Sequence, residues 1–277
     1  MFAAVQSVWG AVFGAFFWPF RALGPWAAMA AVSLLTGLLM LFIFKKTSNQ
    51  AGILRAKNLI KAHLLEIRLF KNDFGQTMRS QGRILLANGR YLGYAVKPML
   101  VMLVPILLLL LQLDVWYGAR SLRPGETAIV KVRLDKAASP LKTPLTIEAL
   151  SGLTVETPAL RIEEEKEIDW RVRADAAGIH ELKFGLDGGS FTKTVAVNQA
   201  PLKTKIVSRR VRSGGWDALN HPGEALLPAE LPVVSVEVAY PPARLSLFGW
   251  RMHWLVAYFL LSIVFGFGLK GVFKVEI

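Results

Sequence analysis

Residues 99–113 read MLVMLVPILLLLLQL, fifteen positions without a charge, and they decide the class of the molecule. Extended backward through Tyr94, Ala95 and Val96, with Lys97 able to snorkel, they reach the roughly 20 apolar residues that cross a bilayer core. Two further stretches pass the same test: Trp26 to Phe44 (WAAMAAVSLLTGLLMLFIF) and Met252 to Leu269 (MHWLVAYFLLSIVFGFGL). Trp26, Trp116, Tyr117, Trp250 and Trp254 fall at the ends of these runs, where amphipathic rings favour the headgroup layer. The sequence therefore predicts a multi-span α-helical membrane protein.

Charge orients it. The 277 residues carry a formal net charge of +13, and 53% are hydrophobic. Between the first two runs, residues 45–97 hold eleven Lys/Arg against Glu66 and Asp73, a surplus of nine. Residues 115–246 hold eighteen Lys/Arg and sixteen Asp/Glu, a surplus of two. The positive-inside rule then predicts a cytoplasmic segment 45–97, with the N-terminus and residues 118–246 outside and the C-terminus inside. Lys270 and Lys274 agree. The charge is accounted for as a topology signal, so DNA is not expected as a partner. The expected setting is the bacterial inner membrane.

The segment at 2–20 (FAAVQSVWGAVFGAFFWPF) is interrupted by Gly10, Gly14 and Pro19. It lacks the basic start and small-residue cleavage site of a signal peptide. The expectation is an interfacial helix within residues 1–24, with Trp9, Phe13, Phe16, Phe17 and Trp18 embedded, in preference to a further span. The first transmembrane helix is expected at 25–44 and the second at 98–117. Residues 247–277 are expected to hold the third and a cytoplasmic tail.

Residues 45–97 are expected to form a basic helical hairpin. Ile53, Ile60, Leu64 and Ile67 recur at helical spacing among Arg55, Lys57, Lys61 and Arg68. Lys71-Asn72-Asp73, with Gly75 behind, signals a turn; a second helix from Gln76 is expected to break at Asn88-Gly89.

Beyond Tyr117 the runs give way to alternation: Ala128, Val130, Val132, Leu134; Ile168, Trp170, Val172, Ala174; Leu182, Phe184, Leu186; Val234, Val236, Val238. This is the period of half-buried antiparallel strands. With turns at Arg123-Pro124-Gly125, Ser151-Gly152, Ala177-Gly178 and Asp187-Gly188-Gly189, it predicts an extracytoplasmic antiparallel β-sandwich at 118–246. The stretch ADAAGIHELKF resembles the E–F corner of immunoglobulin-like domains, with Trp170 in the core. A long loop at 213–231 should cover something apolar through Trp216, Leu226 and Leu227.

No catalytic constellation is present, and an enzyme is not expected. The chain has no Cys, and its four histidines (His63, His180, His221, His253) are dispersed, so neither a metal site nor a cofactor is predicted. No small-molecule substrate is indicated. Glu163-Glu164-Glu165 is expected at a solvated strand end.

Three stretches in succession carry a resemblance: FFWPFRALGPWAAMAAVSLLTGLLMLFIF, KKTSNQAGILRAKNLIKAHLLEIRLFKND and KPMLVMLVPILLLLLQLDVWYG. An aromatic interfacial helix, a span, a basic hairpin and a proline-bearing span resemble the YidC/Oxa/Alb insertase superfamily. The likeness is to its three-span branch, which contains the third subunit of the ER membrane complex. It covers residues 1–118 and the last span, and the β-domain lies outside it. It implies an insertase-like protein, working with a partner on other membrane proteins or nascent chains. The implied groove is lined by Ser33, Thr36 and Gln112, with Lys45, or alternatively Lys46, near the position of a groove cation. The competing expectation is a structural subunit of a cell-envelope complex that docks a partner through residues 118–246. Packing by small residues is the commoner use of Ser33 and Thr36.

Overall fold

The computed structural model describes residues 2–212, 221–247, 249–273 and 275, with side chains from Gly10 onward. The chain divides into two compact units. One comprises 1–28 and 110–254; the other comprises 29–109 and 255–277.

The helices are α1 (Phe2–Phe17), α2 (Pro25–Thr47), α3 (Gln50–Leu69), α4 (Phe74–Tyr117) and α5 (Trp254–Phe273). Helices α2, α4 and α5 are long and apolar enough to cross a membrane. Each boundary has a chemical cause. At the end of α2, Thr47 and Ser48 hydroxyls donate to the carbonyls of Ile43 and Phe44 at 2.7 and 2.6 Å, where Lys45 and Lys46 also complement the helix dipole. Asn49 caps α3 by accepting from Gly52 N–H at 2.9 Å, and Asp73 caps α4 by accepting from Gln76 N–H at 3.0 Å.

Helix α4 corrects the expected break at Asn88-Gly89. It runs unbroken for 44 residues, through Asn88, Gly89, Pro98 and Pro105. One interior Gly costs only about 1 kcal/mol against Ala, so a single weak position does not end a helix held on both sides. At about 1.5 Å per residue α4 is about 66 Å long, roughly twice a bilayer core. The expected second span and the expected second arm of the hairpin thus belong to one continuous helix.

In the helical unit, α2 packs on α5. Ser33 is buried and donates to Tyr258 O at 3.4 Å. A Cβ on Gly37 would lie 3.3 Å from Gly266 N and 3.6 Å from Ser262 O. These contacts advance together along both helices, so α2 and α5 run parallel.

The other unit contains the β-domain. Its strands are β1 (Thr127–Leu134), β2 (Thr146–Ala149), β3 (Leu153–Val155), β4 (Leu160–Ile162), β5 (Glu167–Ala174), β6 (Gly178–Leu186), β7 (Gly189–Val197), β8 (Arg209–Val211) and β9 (Val233–Val238), followed by the small hairpin β10 (Leu245–Leu247) and β11 (Trp250–Met252). One antiparallel sheet has the order β3-β5-β1-β9-β8, with β4 also on β5; a second has the order β2-β6-β7. Both contribute to a single apolar core. Trp170 from the first sheet meets Phe184 of the second edge-on at 6.1 Å, and Phe184 stacks on Phe191 at 4.9 Å.

The alternation in β9 needs correction. Val238 and Val236 face Val130 and Val132, but the register shifts between Arg133 and Leu134, and Leu134 meets Val233. That bulge moves the inward position from Val234 to Val233, which is fully buried.

Helix α1 spans sixteen residues, about 24 Å, short of the roughly 30 Å core. Phe13 and Phe17 are not embedded in lipid as expected; both are buried in protein, with Phe17 4.9 Å from the Trp116 ring and 5.9 Å from Tyr117. Trp18 is exposed. The side chain of Trp9, and Trp216 and Lys274 entirely, lie outside the described residues. Tyr117 Oη donates to Pro25 O at 3.0 Å and Trp26 Nε1 to Ser246 O at 2.7 Å, so the start of α2, the end of α4 and β10 are held together.

Candidate functional site

The basic segment folds as a helical hairpin, α3 against the first arm of α4. Glu66 accepts from Ser80 Oγ at 2.8 Å, and a Cβ on Gly52 would strike the Tyr94 ring at 2.8 Å. Fourteen residues back on α3 corresponds to fourteen forward on α4, so the arms are antiparallel in constant register. Ile53, Ala56, Ser80 and Ala87 are buried along this seam. Of the four residues at helical spacing, Ile53 is buried, Ile60 and Ile67 are half-buried and Leu64 is exposed; small residues at 52 and 56 form the close contact.

Both carboxylates of the segment are consumed in holding it. Asp73 caps α4, while Glu66 engages His63 at 3.0 Å and Ser80, with Arg83 at 3.8 Å. Hydrogen bonds from His63 and Ser80 hold Glu66 below the usual carboxylate range. Arg55, Lys61 and Arg68 project into solvent, and Lys57 is half-buried.

The other face of α4 carries a feature that the sequence expectations above do not include. Phe74, Met78, Leu85 and Leu92 are spaced by four, seven and seven residues and are 79, 51, 71 and 60% exposed. At about 100° per residue this stripe lies nearly opposite the Ser80-Ala87-Tyr94 seam, two positions further on. An amphipathic helix ordinarily covers such a stripe. Its signal in the sequence was the spacing itself, masked by Arg79, Arg83 and Arg90 between its members.

The expected groove residues are placed as follows. Ser33 and Thr36 lie buried on α2; Thr36 Oγ1 donates to Val32 O at 2.8 Å, and Ser33 to Tyr258 O. Both hydroxyls are committed to backbone carbonyls, the packing use. Lys45 and Lys46 are exposed at the end of α2, Lys46 Nζ 5.3 Å from the Phe42 ring. Lys45 stands about 13 Å along the axis from Thr36. Gln112 is buried in the unit that holds the β-domain.

Among the described residues, no group of three or more His, Cys, Asp or Glu could hold a metal ion. Comparison with known proteins finds no matching family model, no similar curated protein and no similar solved structure.

Proposed function

We propose that this chain is an insertase-like protein of the bacterial inner membrane that assists insertion or assembly of other membrane proteins, together with a partner. The observation that carries the reading is the uncovered Phe74-Met78-Leu85-Leu92 stripe on a hairpin with nine surplus positive charges. The positive-inside rule assigns that hairpin to the cytoplasm, where an apolar stripe of this length invites an apolar ligand. An unfolded transmembrane segment of a client, awaiting the bilayer, has that chemistry. Arg55, Lys57, Lys61 and Arg68 supply attraction for acidic flanks or ribosomal RNA, and Lys45 and Lys46 sit where the hairpin joins the first span.

No covalent step is required. Placing one charged residue at the bilayer centre costs about 2.5–3.5 kcal/mol on insertion scales. A cation at the membrane edge lowers the cost for an acidic client tail. With Ser33 and Thr36 occupied in packing, Lys45 and Lys46 carry the polar part of the role. Residues 118–246, read as an immunoglobulin-like sandwich outside the membrane, would dock the partner.

The alternative is a structural subunit of an envelope complex, favoured by the tight α2–α5 packing at Ser33, Thr36 and Gly37. Insertion of a short-tailed client into proteoliposomes separates the two. The insertase reading expects Met78→Asp with Leu85→Asp, and separately Lys45→Ala with Lys46→Ala, to impair insertion while protein level stays unchanged. Normal insertion by both pairs, with complex formation lost only through changes on 118–246, would establish the scaffold.

A further inference from the structure

A cavity of about 360 Å3 opens at the C-terminal end of α4, between the last two turns of the helix, β8 and β9. Leu111 and Val115 supply an apolar floor, and Asp114, Arg209, Glu237 and His221 line the polar part. Two features make it more than a surface hollow. Arg209 stands opposite Glu237 in the β8–β9 register and donates from Nη2 to Ser235 Oγ at 3.2 Å, yet its buried Nε has no acceptor among the described residues. Asp114 folds over Gly118, where a Cβ would come within 2.3 Å of its Oδ1, so the carboxylate is held at the helix end by a position that only glycine leaves open.

The lining grades from hydrocarbon to charge within one helical turn, at the end of a helix long and apolar enough to cross a membrane. That gradient matches an amphiphile entering from a bilayer, with its glycerol and upper chains against Leu111. Both signs of charge are present, and Asp114 and Glu237 outnumber Arg209. A ligand bearing phosphate alone would satisfy the guanidinium and repel the carboxylates; one that also carries an ammonium with N–H groups answers all three. The geometry points to a binding site for the headgroup of a zwitterionic phospholipid with a primary amine, its phosphate on the Arg209 guanidinium and its ammonium between Asp114 and Glu237. This depends on α4 crossing the bilayer and not on what the hairpin does. A trimethylated headgroup has no N–H to donate, and an anionic glycerol headgroup has no cation, so both should bind less well.

The test uses the full chain in bilayer discs made of equal parts phosphatidylethanolamine, phosphatidylcholine and phosphatidylglycerol. Lipids retained after transfer to mild detergent are counted by native mass spectrometry. Phosphatidylethanolamine should exceed each of the others by about tenfold, the worth of one charge-assisted hydrogen bond. Arg209→Gln and Asp114→Asn should each bring retention toward parity, while Lys183→Gln, on an exposed strand position, should leave it unchanged. Equal retention of the three lipids by the unaltered protein overturns the proposal without recourse to any variant, as does selectivity that survives both substitutions. Displacement of the lipid by glycerophosphoethanolamine at equal concentration would identify a free headgroup compound as the ligand, and the lipid assignment would fall.

Discussion

The β-domain and the hairpin handle charge in opposite ways. In residues 115–246 eighteen cations meet sixteen anions, and the ion pairs are made internally: Arg120–Glu126, Lys193–Glu224 and Arg212–Asp135 at 2.8 Å each, and Arg133–Glu167 at 2.5 Å. Lys193 is wholly buried, its ammonium shared between Glu224 and the carbonyl of Val207 at 2.6 Å, and burial pulls it below the usual lysine range. The hairpin spends its two carboxylates on its own structure and keeps nine surplus positive charges beside an exposed apolar stripe. On the proposed function, the region whose groups are satisfied internally should be stable alone, and the one left with surplus charge and exposed apolar surface should be where a partner binds.

That contrast can be broken at its strongest point. If the β-domain is self-sufficient, residues 119–245 should fold in isolation with a β circular-dichroism spectrum. Trp170→Ala should then cost about 3–5 kcal/mol in urea unfolding, because the ring fills the space between the sheets. A cost below about 1 kcal/mol, well under that range, would mean that the core is not organised around it. Removing one partner of the buried pair, by Glu224→Ala, should cost about 3 kcal/mol and leave Lys193 unpaired. Lys193→Met, which removes the charge and keeps the volume, should cost much less.

The hairpin's own bonds are weaker. Ser80→Ala removes a hydrogen bond to a partly exposed carboxylate, worth about 1 kcal/mol. Amides around the 70–73 turn should exchange about fivefold faster, and unchanged exchange would mean that Ser80 does not hold the two arms together. The smallest effect expected is on acid stability. Glu126, held by Arg120 and the Arg123 N–H, is lowered from 4.5 to about 2. A depressed carboxylate contributes stability that is full above its unfolded value and is lost as pH falls through the folded one. The β-domain should therefore weaken between about pH 4.5 and 2, and Glu126→Gln should flatten that part of the profile.

Much of this fold was legible. The three long helices followed from charge-free runs, and the strands β1, β5 and β6 from alternation, because burial on one or all faces leaves a period in the sequence. What was missed shares one cause: long-range contact overrode a local signal. Asn88-Gly89 signalled a break, yet Ala87 is buried on the seam and Tyr94 packs on Gly52, so α4 continues. Val234 kept the alternation, yet a bulge against β1 selects Val233. The site was less legible than the fold. Ser33 and Thr36 are polar residues in an apolar run, which is equally the pattern of a groove and of helix packing; their acceptors, Tyr258 O and Val32 O, decide. The uncovered stripe on α4 was hidden by the arginines between its members.

On the proposed function, the open face of the hairpin receives apolar segments of other proteins. Site-specific photocrosslinkers placed singly at Met78, Leu85 and Leu92, at Ala87 on the seam, and at Lys183 on the β-domain test it directly, during synthesis of a membrane-protein client on ribosomes supplied with membranes containing this chain. Crosslinks from positions 78, 85 and 92 to the client's transmembrane segment, with none from 87 or 183, are the expected result. Client crosslinks confined to 183, or equal at all five positions, would contradict it.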